Sequence, residues 1–239
     1  MYDRNIKMYD EPHTPVALER QLLAGKLNKG KLITEQHNNS YYLQMKTIKD
    51  LKIKHVLEIG PGESFIPKYM KSIGIQYDTL DIVPSTNPTY LSRLEDADPS
   101  MIRKRYGAVC AFQVLEHSPY DRFSSNLAKM AALSRNYIVI SIPYSCFGFR
   151  LSFKTFRGQG KRSKYELSRY FPKNLPNRKY RPEYIKEFPW ACHYWELGRE
   201  GFPLSRIKND IISQRLRIID TFHSDNPFHF FIIAQKTES

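Results

Sequence analysis

Residues 54–67 read KHVLEIGPGESFIP, and this stretch decides the fold. A short apolar run, Val56-Leu57, meets an acid, Glu58. Two glycines follow, Gly60 and Gly62, with Pro61 between them. A run of this length and character reads as a buried strand. Pro67 then sits in the first turn of a helix, where proline is tolerated, and Gly74 stops that helix. Between strand and helix the two glycines let the backbone turn tightly and approach a ligand with no Cβ in the way. The unpaired N–H groups that open the helix point at the same place.

Outward from this turn, apolar strands alternate with amphipathic helices. SYYLQMKTIKDL (40–51) reads as a helix, with Ser40 at its N-cap and Tyr41, Met45, Ile48 and Leu51 on one face. IQYDTLDI is a second strand ending at Asp81, PTYLSRL holds a short third, and PSMIRKRYG is a helix. AVCAFQVL is a buried fourth strand. SPYDRFSSNLAKMAAL opens with Ser118, Pro119 and Asp121, a capping-box pattern with proline at the first helical position. NYIVISIPY is another buried strand, and LSRIKNDIISQRL another helix. The last two strands, RIIDTFHS and HFFIIAQK, are joined too closely for a parallel crossover and predict an antiparallel hairpin. Strands that are apolar on both faces and alternate with helices imply an α/β fold: a mostly parallel sheet covered on both sides.

In such a sheet, ligands bind at the carboxyl ends of the strands, near the switch in strand order. Asp81 closes the second strand 21 residues after Gly60, where a carboxylate accepts hydrogen bonds from ribose hydroxyls. Two cofactors fit, a dinucleotide and S-adenosylmethionine. The dinucleotide fingerprint asks for a third glycine where this chain has Phe65, and Glu58 repels a pyrophosphate. The same carboxylate suits the ammonium and sulfonium of S-adenosylmethionine, which is therefore favoured.

As a set, VLEIGPG, LDI at 80–82, FQVLEH at 112–117, YIVISIPY and the closing hairpin resemble the motifs of class I S-adenosylmethionine-dependent methyltransferases. HYWELGREGFP and NPFHFF resemble a type-11-like subgroup. The resemblance spans roughly residues 40–236. It implies a Rossmann-like, seven-stranded, mostly parallel sheet with a reversed final strand. By position, Glu58 lies near the methionine end, and Gly60, Pro61 and Gly62 line the carboxypropyl chain. Asp81 holds the ribose, Ile82 packs on the adenine, and Gln113 and Val114 border the sulfonium. Two positions depart from the pattern. Ser64 stands where a third small residue is usual, free to cap the helix. Arg93 or Leu94 stands where an acid often meets the adenine amine.

The sulfonium is already activated, so catalysis consists mainly of placing a nucleophile in line with the methyl and excluding water. A hydroxyl acceptor also needs a base. His117, directly after strand four, is the first candidate, followed by His193 and Glu196. Tyr194 and Trp195 read as packing, and His223 and His229 as structural. No His/Asp/Glu set has metal-ligand spacing.

The net charge of +13 is concentrated. Residues 147–186 carry 12 Lys or Arg against 2 acids, with nine Phe or Tyr. This basic, aromatic segment interrupts the sheet after strand five, on the cofactor side, and reads as a lid that grips an anionic acceptor. Residues 1–38 read as an arm or cap and 39–239 as one domain. The favoured acceptor is a small or saccharide-like molecule, O-methylated. A strand-four end in VLEH, without an N-P-P-Y-type tetrapeptide, leans away from a nucleic acid. RNA methylation through the basic lid is the alternative, and a non-catalytic binding protein the lesser one. The polar N-terminus lacks a signal peptide's apolar core, no run of 18 apolar residues occurs, and three scattered cysteines suggest no disulfides. A cytoplasmic setting is expected.

Overall fold

The structure, a computed structural model, describes residues 35–97, 106–157, 161–176 and 193–237. The helix expected at 99–107 falls mostly outside these residues. So do most of the N-terminal arm and, within the basic segment, residues 158–160 and 177–186.

Helix α1 spans Glu35–Asp50 and leads into β1 (His55–Ile59), α2 (Ile66–Ser72) and β2 (Gln76–Asp81). A two-residue β3 (Tyr90–Leu91), β4 (Tyr106–Phe112), α3 (Phe123–Leu133) and β5 (Ser134–Pro143) follow. Strands β6 (Cys146–Arg157) and β7 (Lys161–Pro172) form a separate antiparallel hairpin. Helix α4 (Leu204–Ser213), β8 (Leu216–His223) and β9 (His229–Lys236) complete the described chain.

Seven strands make one sheet in the order β3-β2-β1-β4-β5-β9-β8. The pairs among β1 to β5 are parallel, whereas β9 runs antiparallel to both β5 and β8. The reversed final strand expected from the closing hairpin is therefore present, inserted between β5 and β8. Strand order reverses between β1 and β4, which makes their carboxyl ends the natural cleft.

Both faces of the sheet are covered, as continuous apolar strands require. Leu57, Ile59, Val109, Ile138, Ile140 and Ile232 pack against Leu127 and Met130 of α3 and Ile207 and Ile211 of α4. On the other face Val56, Tyr77, Cys110, Val139 and Phe231 pack against Ile48 of α1 and Ile66 and Met70 of α2. Trp195 and Phe123 are among the largest wholly buried side chains and meet edge to face at 5.2 Å. Trp195 is thus packing, as expected, and truncating a buried aromatic of this kind to alanine costs about 3–5 kcal/mol.

Two expected helix caps are replaced. Ser40 lies inside α1, buried, with its Oγ paired to His229 Nδ1 at 2.9 Å. Ser118 donates its hydroxyl to Glu95 Oε1 at 2.9 Å, and α3 starts at Phe123 after a 3-10 turn at Tyr120–Arg122, with no side-chain cap. In both places a tertiary partner takes the hydroxyl that the local pattern assigned to the backbone. Ser64 does act locally, its Oγ accepting the Ile66 N–H at 3.2 Å ahead of α2.

Strand alternation in the β6–β7 hairpin places Phe147, Phe149, Leu151 and Phe153 on one face, opposite Phe171, Arg169, Leu167 and Tyr165. The apolar members of this face are exposed. The hairpin is tied to the β8–β9 turn through Arg150, which pairs with Asp225 and donates to the Ser224 carbonyl at 3.1 Å. Among the described residues no helix is long and apolar enough to cross a membrane.

Candidate functional site

The glycine turn forms as its residues require. Gly60 and Gly62 both adopt left-handed backbone, φ +63° and +55°. The Gly60 N–H donates to the Leu80 carbonyl at 2.8 Å, fastening the turn to β2. A Cβ on Gly60 would come within 2.8 Å of a Val114 methyl, so the loop after β4 presses directly on the turn. A Cβ on Gly62 would meet nothing within 4 Å. The turn is thus closed on the Gly60 side and open on the Gly62 side.

Two carboxylates flank it. Asp81 is almost fully buried and accepts N–H bonds from Gly62 at Oδ2 and Val83 at Oδ1, both 3.0 Å. One oxygen holds the turn and the other its own strand end. A carboxylate has about four acceptor sites, so two remain for a ligand's hydroxyls. Glu58 is buried beneath the turn and accepts the Tyr77 phenol hydrogen at 2.8 Å. Burial raises its pKa to about 7; the Tyr77 bond opposes the rise, and the Asp81 charge adds to it. Ile82 is half-buried beside Asp81. Leu94 is buried, in the same core cluster as Leu80 and Leu127.

Gln113 follows β4 in left-handed conformation, φ +58°, uncommon for a side chain with a Cβ. It is held there by its N–H on the Ser141 carbonyl at 3.0 Å and its amide on Ser141 Oγ at 3.2 Å. Val114 continues onto Gly60, and a 3-10 turn, Leu115–His117, carries Glu116 and His117.

The structure brings His117 and His193 together, with ring centroids 5.0 Å apart. Two bonds hold the segments in place: the Tyr194 N–H to the Glu116 carbonyl at 2.8 Å, and the Trp195 indole to the Ser118 carbonyl at 3.1 Å. His193 Nδ1 lies 2.9 Å from Glu196 Oε1, and Arg199 Nε donates to Glu196 Oε2 at 2.8 Å. The next two candidates for the base, His193 and Glu196, thus lie with His117 at one corner. Glu116, which is not among the residues expected from sequence, lies at the same corner. It is completely buried, and neither of its carboxylate oxygens makes a hydrogen bond. Burial raises its pKa to about 8, and the Glu196 charge adds to the rise. His223 and His229 are structural: His223 Nδ1 meets the Pro227 carbonyl at 2.8 Å, and His229 meets Ser40.

This strand order, with a glycine turn at the switch point and a reversed penultimate position in the sheet, is the class I fold of S-adenosylmethionine-dependent methyltransferases. No family model and no curated protein matches the chain in sequence. Among solved structures it is similar to the magnesium protoporphyrin IX methyltransferase of Synechocystis PCC 6803 with bound SAH, at TM-score 0.54 and 14% identity over 84% of each chain. It is also similar to the 1,6-didemethyltoxoflavin-N1-methyltransferase of Burkholderia thailandensis, at TM-score 0.53 and 13% identity, covering 95% of this chain and 91% of that one. A third is the sugar N-methyltransferase KedS8 of a Streptoalloteichus species, at TM-score 0.56 and 9% identity, covering 87% and 91%. At these identities the likeness is one of fold.

Proposed function

We propose that the protein is an S-adenosylmethionine-dependent methyltransferase acting on a small-molecule or saccharide-like acceptor, with a hydroxyl oxygen as the favoured nucleophile. The observation that carries this reading is the pair of buried carboxylates, Glu58 and Asp81, around a glycine turn that is open at Gly62. Asp81 holds the ribose, Glu58 faces the cationic methionine end, Gly60, Pro61 and Gly62 line the chain between, and Gln113 and Val114 border the sulfonium. Ile82 packs on the adenine. In the reaction a C–O bond forms as the C–S bond breaks, the sulfonium becomes a neutral thioether, and the hydroxyl proton is lost. We place that loss at the corner of Glu116, His117, His193 and Glu196, the nearest titratable cluster beyond Gln113.

Residues 147–186 act as a lid over the acceptor in this reading. Their basic residues suit an anionic acceptor, and the exposed apolar face of the β6–β7 hairpin suits one with an apolar part. The similar enzymes act on 1,6-didemethyltoxoflavin and on a sugar, which supports a small molecule over RNA.

The test is calorimetry with S-adenosylmethionine and S-adenosylhomocysteine, followed by labelled-methyl transfer to cell-extract fractions with and without nuclease. Binding of both, loss of affinity in Asp81→Ala, and labelling that survives nuclease are expected. Absence of binding overturns the reading, and nuclease-sensitive labelling moves it to RNA.

A further inference from the structure

We propose that Glu116, His117 and His193 form a binding site for a divalent transition-metal ion at the acceptor end of the cleft. The nearest donor atoms of the three side chains all lie within 4.8 Å of one another, the one such group among the described residues. Ligands of a single ion at about 2.1 Å sit roughly 3–4 Å apart, so closure needs movements of about 1 Å or less.

Three independent features point to a cation there. Glu116 is wholly buried and neither of its side-chain oxygens has a hydrogen-bond partner, an arrangement that is costly even for a neutral carboxyl. A metal ion would offset that cost. Next, His193 turns Nδ1 toward Glu196, which Arg199 fixes in turn. An Nδ1–H donated to that carboxylate leaves Nε2 with its lone pair, the carboxylate–histidine arrangement that orients metal ligands. Finally, the Tyr194-to-Glu116 backbone bond and the Trp195-to-Ser118 bond fix the His193 segment against the turn bearing the other two ligands. A site assembled from distant segments is thereby held in register.

Two imidazoles and one carboxylate select Zn²⁺, Mn²⁺, Fe²⁺ or Co²⁺ over Mg²⁺ and Ca²⁺, which prefer oxygen. Three protein ligands leave a coordination position open for an acceptor oxygen. Glu116 and His117 follow Gln113, Val114 and Leu115 on one short turn, and Val114 packs at the glycine turn, so that position adjoins the expected methyl donor. An ion here acidifies the acceptor hydroxyl, and His117 serves as a ligand, in place of the free base expected from sequence. This role rests on the methyltransferase reading; the binding itself does not.

The experiment uses the full chain without a histidine tag, stripped with EDTA. Co²⁺ is titrated while its visible d–d absorption is followed, with Zn²⁺ and Mg²⁺ added by calorimetry. One equivalent of Co²⁺, displaced by Zn²⁺ and at least about a hundredfold tighter than Mg²⁺, is expected. His117→Ala, His193→Ala and Glu116→Gln should each weaken Co²⁺ binding about 10- to 100-fold, with folding verified by circular dichroism. A folded wild-type chain with no Co²⁺ band at millimolar metal overturns the proposal, as does wild-type affinity in both histidine variants. S-adenosylhomocysteine is titrated into the same samples. Cofactor binding without metal binding overturns the metal site alone. Metal binding without cofactor binding upholds the site and overturns the methyltransferase reading.

Discussion

The Tyr77 hydroxyl donates to Glu58 Oε2 across 2.8 Å, tying the second strand to the acid near the end of the first. Both groups are fully buried, and burial holds Glu58 at a pKa of about 7. The folded-state pKa is raised, so the neutral carboxyl favours folding. That contribution is complete below the unfolded value and is lost as pH rises through about 7. Glu58→Gln removes this dependence. Urea unfolding at pH 4.5 and pH 8 should show the wild type losing about 3 kcal/mol relative to the variant across that range. Equal pH slopes for the two proteins would show that Glu58 ionises normally.

For the proposed cofactor the same titration should act in the opposite direction. An ammonium prefers the ionised carboxylate, so S-adenosylmethionine affinity should rise by up to about tenfold between pH 6 and pH 8. Calorimetry at both values, with Glu58→Gln as a flat control, measures it. An identical rise in the variant would assign the effect to another group.

Gly60 and Gly62 separate two kinds of damage. Gly60→Ala meets a Val114 methyl at 2.8 Å as well as the left-handed backbone, and should cost about 2–4 kcal/mol of stability. Gly62→Ala has free space and bears the backbone cost alone, about 1–2 kcal/mol. Its methyl projects from the open side of the turn, so its larger effect should be on cofactor affinity. Thermal melts and calorimetry on the two variants rank these effects, and the ranks should be opposite.

Asp81→Asn retains one carbonyl oxygen for two backbone donors, Gly62 and Val83. One of them then faces an amide NH₂. A loss of about 1–3 kcal/mol in urea unfolding is expected, together with weaker S-adenosylhomocysteine binding.

The glycine turn, the parallel strands and the closing hairpin were legible because periodicity and turn chemistry are local properties. Ser40 and Ser118 misled as caps because their partners, His229 and Glu95, come from elsewhere in the chain. The β6–β7 strands were hidden by their charge, although Phe147, Phe149, Leu151 and Phe153 alternate with a period of two. Glu116 is hidden in the sequence because its partners beyond His117 come from one distant segment, residues 193–196, which only the fold brings to it. The available signal was the Glu116-His117 pair directly after a buried strand, with His193 and Glu196 three residues apart downstream.

Arg150 anchors the hairpin through Asp225, Ser224 and Tyr170, with Glu166 3.2 Å from its Nε. Arg150→Ala should speed amide exchange in residues 146–172 at least several-fold and leave β1, β2 and β4 unchanged. Hydrogen exchange read by mass spectrometry distinguishes this from global loosening, in which all strands accelerate together.

Strand β9 lies between β5 and β8, and Phe231 and Ile232 on it are wholly buried. The sheet therefore closes only when residues 229–236 have emerged from the ribosome. Until then β5 is an open edge bearing Ile138, Val139 and Ile140, a ready template for another chain. For this protein, the risk of aggregation is greatest while β9 is still out of place, when nearly all of the cleft has been made and its closing strand has not.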